Sequence, residues 1–357
     1  MQAKQYLDVI DFTLGDPDIT TPMGICDAAM GSIRLGKTHY TPNAGMPELR
    51  KLLADRINNQ YCYRCTEDNV IIGIGATEIL YLLFKAILND NDEVIIISPH
   101  WVQYENQVKL NGAKPIIVKN IDEVPAAIHN GRTKAIVLNN PNNPSGKVYD
   151  FQSLQMIAEV AVKNDILIIS DEVYKTLVYE KEFHSMAKFC DLENVVLIDS
   201  MSKAFAMTGW RVGYAIANMN LIQTMIKLQQ NVAVSTPTSS QCAAIEAIKH
   251  YDEYAKQVYE VFAHRRIVLR NALTQYKIDC APLDGTFYAW IKIAPYGIKS
   301  LEFATKLLQQ EHVAVVPGLA FGADWDGYIR LAYTLEDEQI VKGIEKLSHF
   351  IKTNTKR

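Results

Sequence analysis

The chain has 357 residues, 48% of them hydrophobic, and its 36 basic and 40 acidic side chains leave a formal net charge of −4. Such a length and apolar share can bury one large α/β core plus a smaller lobe. The near balance of charge gives no electrostatic footprint for nucleic acid or an anionic membrane surface, and no apolar run approaches the roughly 18 residues a spanning helix needs, so a small-molecule partner is expected.

In chain order, the opening Met1-Gln-Ala-Lys lacks the basic-then-apolar plan of a secretory leader, which implies a cytoplasmic location. Short β-branched runs then recur at Val70–Gly73, Val94–Ile97, Pro115–Val118, Ala135–Leu138, Ile166–Ile169, Val195–Ile198 and Gly213–Ile216. Most read as strands buried on both faces. Segments of helical spacing, such as 78–88 and 151–164, lie between them, the pattern of a mainly parallel, seven-stranded sheet sandwiched by helices. A long amphipathic stretch without glycine or proline, 251–276, predicts a helix leading out of this domain. Beyond it, strands at 286–291 and 328–333 and helices at 300–311 and 336–352 predict an α+β lobe. The expected partition is 40–255 for the large domain, with 1–39 and 256–357 forming the small one. The polar end, 352–357, reads as disordered.

The six cysteines are scattered, as expected in a reducing compartment. Cys62-Tyr-Arg-Cys65 has C-x-x-C spacing, but neither a second pair nor a nearby histidine completes a tetrahedral set, so no metal is expected.

In open α/β sheets ligands sit beyond the carboxyl ends of the strands, so the residues after each run carry the functional information. They are Gly73-Ile-Gly-Ala-Thr-Glu78, Ser98-Pro-His-Trp101, Asn139-Asn-Pro-Asn-Asn-Pro-Ser-Gly146, Ser170-Asp-Glu-Val-Tyr174 and Asp199-Ser-Met-Ser-Lys203. A lysine, an aspartate, an asparagine, a tyrosine, a tryptophan and a glycine-led helix start match the needs of pyridoxal 5'-phosphate. The aldehyde requires an amine, the pyridine nitrogen a carboxylate, the phenolic oxygen hydrogen-bond donors, the ring a stacking face, and the phosphate backbone amides with an arginine.

Ser200-Met-Ser-Lys-Ala-Phe-Ala-Met-Thr-Gly-Trp-Arg211, Asn140-Pro-Asn-Asn-Pro-Ser-Gly146 and Ser170-Asp-Glu-Val-Tyr174 together resemble the motifs of the fold-type I, class I/II aminotransferases. The resemblance, which runs from about Asp11 to about Tyr333, implies Lys203 as the Schiff-base and proton-carrying residue. It also implies Asp171 as partner of the pyridine nitrogen, and Asn143 and Tyr174 as donors to the phenolic oxygen. Arg211, Ser200, Ser202 and the Gly75-Ala76-Thr77 helix start would hold the phosphate, with Trp101 stacked on the ring. Tyr40 resembles the tyrosine that reaches the phosphate across a homodimer interface. Arg330 resembles the clamp for the substrate α-carboxylate, and Gly15 the loop that closes over the substrate. Trp101, Asn143 and Tyr104 would border the substrate too, and the loop Asp16 to Thr20 would line its side-chain pocket.

The implied reaction is ping-pong transfer of an amino group from an L-amino acid to a 2-oxo acid, with 2-oxoglutarate as the expected acceptor. Two departures from the family pattern stand out. Only ten residues precede Asp11, where relatives carry an extra N-terminal helix, and Thr77 stands where some aspartate-specific relatives have a lysine for the distal carboxylate. β-Elimination of the C–S lyase type would use the same lysine, and release of pyruvate and ammonia without an oxo acid would reveal it. A non-catalytic cofactor-binding module would call for a basic, DNA-facing extension that this sequence lacks.

Overall fold

The computed structural model of the chain describes residues 8–61 and 63–354. Its strands are β1 (Ile10–Asp11), β2 (Val70–Gly73), β3 (Glu93–Ile97), β4 (Lys114–Val118), β5 (Thr133–Asn139), β6 (Leu167–Asp171), β7 (Val195–Ser200), β8 (Gly213–Ile216), β9 (Tyr288–Lys292), β10 (Val313–Ala314), β11 (Val316–Pro317) and β12 (Tyr328–Ala332). Seven of them form one sheet in the order β2-β8-β7-β6-β5-β3-β4. β8 runs antiparallel to both its neighbours and every other pairing is parallel. The carboxyl ends of β2, β3, β5, β6 and β7 therefore open on one rim.

Period-two alternation sorts the sheet's side chains into two layers. Val70, Ile72, Ile95, Ile136, Leu138, Ile168 and Leu197 share a buried core with the helices Pro47–Tyr61, Phe151–Asn164 and Thr238–Lys249. Ile71, Val94, Ile96, Val137, Ile169, Val196 and Ile198 share another with Gly75–Ile87, Val102–Leu110 and Met219–Val232. Burying each such aliphatic side chain stabilises the fold by about 1.5–3 kcal/mol. β4, one of the runs expected as strands, lies at the sheet edge with Ile117 exposed. There Pro115, which has no amide proton to donate, is tolerated.

The helix Tyr251–Tyr276 links the two lobes. Its first turns place Tyr251, Tyr254 and Ala255 in the first sheet core, and its later turns place Phe262, Leu269 and Leu273 in a separate core. That second core packs the antiparallel sheet β11-β12-β9 against the helices Ser300–Glu311 and Asp337–Asn354. β1 joins it by pairing in parallel with β10. The terminal helix continues through Lys352, Thr353 and Asn354, correcting the expectation of disorder from 352 onward. Thr353 donates its hydroxyl to His349 O, and Asn354 reaches Gln310, so the polar side chains that suggested disorder are used as helix-end contacts. The remainder of that tail, 355–357, lies outside the described residues, as does Cys62 of the C-x-x-C pair. Cys65 is buried with its thiol 3.2 Å from Asn58 Oδ1.

Candidate active site

Five strand ends, the Gly15–Asp16 segment and the strands β9 and β12 of the second lobe enclose a cavity of about 370 Å³. It is lined by Gly15, Ala76, Thr77, Trp101, Asn143, Asp171, Tyr174, Ser200, Ser202, Lys203, Arg211 and Arg330 from the predicted set. Asp16 and Tyr104, expected around the substrate, also line it, together with Asn139, Val173, Thr208 and Tyr288, which the sequence reading did not single out.

Gly75 contributes from below. It has a φ of +77°, and a Cβ there would fall 2.4 Å from Arg211 Nη2. Only glycine lets the helix Gly75–Ile87 begin directly beneath that guanidinium. Glu78 accepts the amide of Ile74, while Ala76 and Thr77 of the first turn face the cavity. Arg211 donates to Thr208 O at 2.9 Å and to Ile74 O at 3.3 Å, so a guanidinium and a helix N-terminus converge, an arrangement suited to a phosphate dianion. Tyr40 stands apart: it is 86% exposed, bordering a different hollow with Ile33, Thr38 and Ser235.

Asp171 ends β6 and is buried. Its carboxylate accepts from the Tyr104 hydroxyl at 2.5 Å and from the Val173 amide at 3.3 Å. Both donors are neutral, and Asp171 forms no ion pair among the described residues. Burial pushes its pKa up to about 6 against these hydrogen bonds, and the charges of Asp199 and Glu172 push the same way. Such a carboxylate is matched to a cationic ring nitrogen. Tyr104 meets Trp101 edge to face, with centroids 5.4 Å apart, which fixes the indole at the cavity wall.

Lys203 lies on the short helix Met201–Ala204 that Ser200 caps. Its Nζ donates to Gly15 O at 2.6 Å. Burial, reinforced by Arg211 and Arg330 and opposed by Asp16, lowers its pKa to about 8. The neutral amine needed for attack on a carbonyl is therefore accessible near neutral pH.

Arg330 comes from β12 in the other lobe and is also buried. Nη1 donates to Asn143 Oδ1 at 3.1 Å and Nη2 to Thr13 O at 2.8 Å, while buried Nε has no partner. No carboxylate pairs with it among the described residues, so this buried cation awaits an anion. Asn139 organises the loop opposite by accepting the Asn143 amide at 2.7 Å and donating to Asp171 O at 3.1 Å.

A buried carboxylate without a cation, a phosphate cradle, an amine of lowered basicity and hydroxyls between them fit pyridoxal 5'-phosphate group by group. Fold and donor set define a fold-type I pyridoxal-phosphate enzyme. The model of the family "Aminotransferase class I and II" matches residues 8–347. The aspartate aminotransferase of Bacillus subtilis is 37% identical, over 98% of this chain and 92% of its own. The solved Thermus thermophilus aspartate aminotransferase with maleate superposes with a TM-score of 0.92 at 34% identity, covering 98% of this chain and 93% of that one. A Methanococcus jannaschii structure described as similar in its active site to kynurenine aminotransferases gives 0.91 at 36% identity, covering 98% and 95%. The chain belongs to the class I and II aminotransferase family and is a pyridoxal-phosphate-dependent aminotransferase.

Tyr288 escaped the sequence reading because it sits in an aromatic run, Phe287 to Trp290, whose pattern is that of core. Asp16 and Thr208 are joined side chain to side chain at 2.6 Å, a contact across 192 positions that no local signal announces.

Proposed function

We propose that Lys203 holds the cofactor covalently and carries the substrate α-proton, in a ping-pong transfer from an L-amino acid to a 2-oxo acid such as 2-oxoglutarate. The observation that supports this most is the amine of Lys203, lowered to about 8, in one cavity with the cation-free carboxylate of Asp171. When bound, pyridoxal phosphate supplies an aldehyde and an electron-withdrawing pyridinium ring. Asp171, steadied by Tyr104, keeps a proton on the ring nitrogen. Tyr174 and the Asn143 amide nitrogen donate to the phenolic oxygen. Arg211, Ser200, Ser202 and the amides of Ala76 and Thr77 bind the phosphate, and Trp101 covers the ring. Arg330, with Asn143 fixing one of its nitrogens, takes the α-carboxylate, while the loop at Gly15 shuts out water.

Lys203, Arg211 and Arg330 are the cations lining the cavity, and this scheme occupies all three. None is left for a second carboxylate, and Thr77 supplies none. With Trp101 and Tyr104 at the wall, neutral or aromatic amino donors are the better fit. The distal carboxylate of 2-oxoglutarate would be met by a second copy of the chain, in a homodimer that also brings Tyr40 to the neighbouring phosphate. In this reading 40–255 acts as the large cofactor-binding domain and 1–39 with 256–357 as the small domain of a cytoplasmic enzyme. No helix of the described residues is long and apolar enough to cross a membrane.

The test is spectroscopic. Purified protein with cofactor should absorb at about 360–430 nm and convert to the amine form on addition of productive amino donors. Borohydride reduction should leave the cofactor bonded to Lys203 in a peptide digest, and its absence from that residue would refute the assignment.

A further inference from the structure

Tyr288 sits where three parts of the site meet. Its hydroxyl is 3.1 Å from that of Tyr174, with the two buried rings edge to face at 5.7 Å. The Arg330 guanidinium lies 4.4 Å from the centre of the Tyr288 ring. A Cβ on Gly15 would fall 2.0 Å from the Tyr288 hydroxyl, so the Gly15 backbone presses directly on the phenol. The strand explains this reach: on β9, Tyr288 lies two residues before Trp290, the register partner of Arg330, so both side chains share a face with the arginine. One second-lobe side chain thus touches a strand end of the large sheet, the arginine and the Gly15 segment.

We propose that Tyr288 is a positioning residue that sets how strongly Tyr174 donates to the cofactor and how firmly Arg330 is held for the substrate carboxylate. The proposal rests on the reading that places the cofactor's phenolic oxygen beside Tyr174. Either hydroxyl of the pair can donate when they are alone. With the phenolic oxygen present, Tyr174 gives its proton there, and the Tyr288 hydroxyl becomes the donor to the Tyr174 oxygen. A hydroxyl whose own oxygen accepts a hydrogen bond is a stronger donor, by roughly 10–30% per bond. A stronger bond from Tyr174 spreads the negative charge of the phenolic oxygen and weakens that oxygen's hold on the proton at the Lys203 nitrogen. The bound enzyme should therefore lose that proton at lower pH than it would without the Tyr288 hydroxyl. The ring acts separately, because a cation over an aromatic face in a dry site is held in place without a counter-charge that would compete with the substrate.

The remaining charged groups lining the cavity are Asp16, Asp171, Lys203 and Arg211. Tyr288→Phe leaves all of them in place and keeps the ring under Arg330. The experiment is a pH titration of the visible absorbance of the cofactor-loaded enzyme, for wild type, Tyr288→Phe and Tyr288→Leu, with steady-state kinetics of each. Tyr288→Phe should raise the absorbance midpoint by about 0.3–0.7 of a pH unit and leave KM for the amino donor within twofold. Tyr288→Leu should show the same midpoint rise and also raise KM by about 3- to 30-fold, the range from an exposed to a desolvated cation–π contact, with a smaller change in kcat. A wild-type enzyme that titrates normally while Tyr288→Phe does not move overturns the role of the hydroxyl and leaves the cofactor reading intact. An unchanged KM in a folded Tyr288→Leu overturns the role of the ring. A wild type with no pH-dependent visible band overturns the proposal together with the placement of the cofactor. Should Tyr288→Leu fail to fold, Tyr288→Phe still decides the role of the hydroxyl, and Tyr288→Met, which keeps most of the bulk without an aromatic face under Arg330, decides that of the ring by the same KM measurement.

Discussion

Gly75→Ala should damage cofactor binding through a residue that it does not replace. At φ +77° alanine meets a left-handed backbone penalty of about 1–2 kcal/mol. Its Cβ would also lie 2.4 Å from Arg211 Nη2 and 2.9 Å from Cζ, too close for both to stay. The guanidinium is the end of a flexible side chain, so it moves and the helix start remains. Moving sacrifices its bonds to Thr208 O and Ile74 O, each contributing about 0.5–1.5 kcal/mol. The apoprotein should therefore lose about 2–5 kcal/mol in urea unfolding. Displacing Arg211 from the phosphate should remove a charge-assisted bond of about 1.5–3 kcal/mol, raising the Kd for pyridoxal phosphate about 10- to 150-fold in a fluorescence titration. In an Arg211→Ala background, Gly75→Ala should add little further loss of affinity, because the two changes act through one group. An unchanged Kd in Gly75→Ala, or full additivity of the two, would refute the placement of the phosphate under Arg211.

Three other outcomes follow from the same geometry. Asp171 has its pKa raised from 3.8 to about 6, so its burial penalises the charged form; apoprotein stability should fall as pH rises from about 4 through about 6 and stay reduced above, by about 3 kcal/mol. Asp171→Asn should abolish that slope in urea midpoints measured across pH, and parallel slopes would sink the idea. Lys203, lowered from 10.5 to about 8, should make the rate of cofactor capture by apoprotein rise with pH and level off above about 8; a midpoint near 10.5 would mean that the amine is exposed to solvent. Thr77→Lys, placing a cation on the cavity wall, should raise kcat/KM for aspartate about tenfold or more relative to neutral donors. No gain would count against the proposed charge-based preference.

Much of the site was legible because parallel strands export their chemistry to one end. Once β5, β6 and β7 were recognised as apolar runs, Asn143, Asp171 and Lys203 followed as the residues just beyond them, and the cavity brings all three together. The helix Tyr251–Tyr276 was bounded by its lack of breakers, and it ends at Lys277, which adopts φ +55°. Other elements left signals that went unread: Pro47–Tyr61 buries Leu49, Leu53, Ala54 and Ile57, a helical spacing visible in the sequence. What no spacing could reveal was contact between distant segments. The approach of Tyr288 to Tyr174 across 114 positions and the grip of Lys203 on Gly15 O across 188 depend on how the lobes pack. Tyr104 shows the intermediate case: its place near Trp101 was readable, but its hydrogen bond to Asp171 was not.

The pairing of β1 with β10 bears on biosynthesis. Ile10 and Asp11 are among the first described residues to leave the ribosome, yet their register partners are Val313 and Ala314, and Arg330 is made later still. The Gly15 segment that receives the Lys203 amine is thus anchored by a strand whose partner is made only after all seven strands of the large sheet. A nascent chain can complete the seven-stranded sheet, with Lys203 and Asp171 in place, well before the other wall of the cavity exists. Vitamin B6 captured at that stage would meet an open rim, and enclosure must wait until β10 and the strand that carries Arg330 have been made.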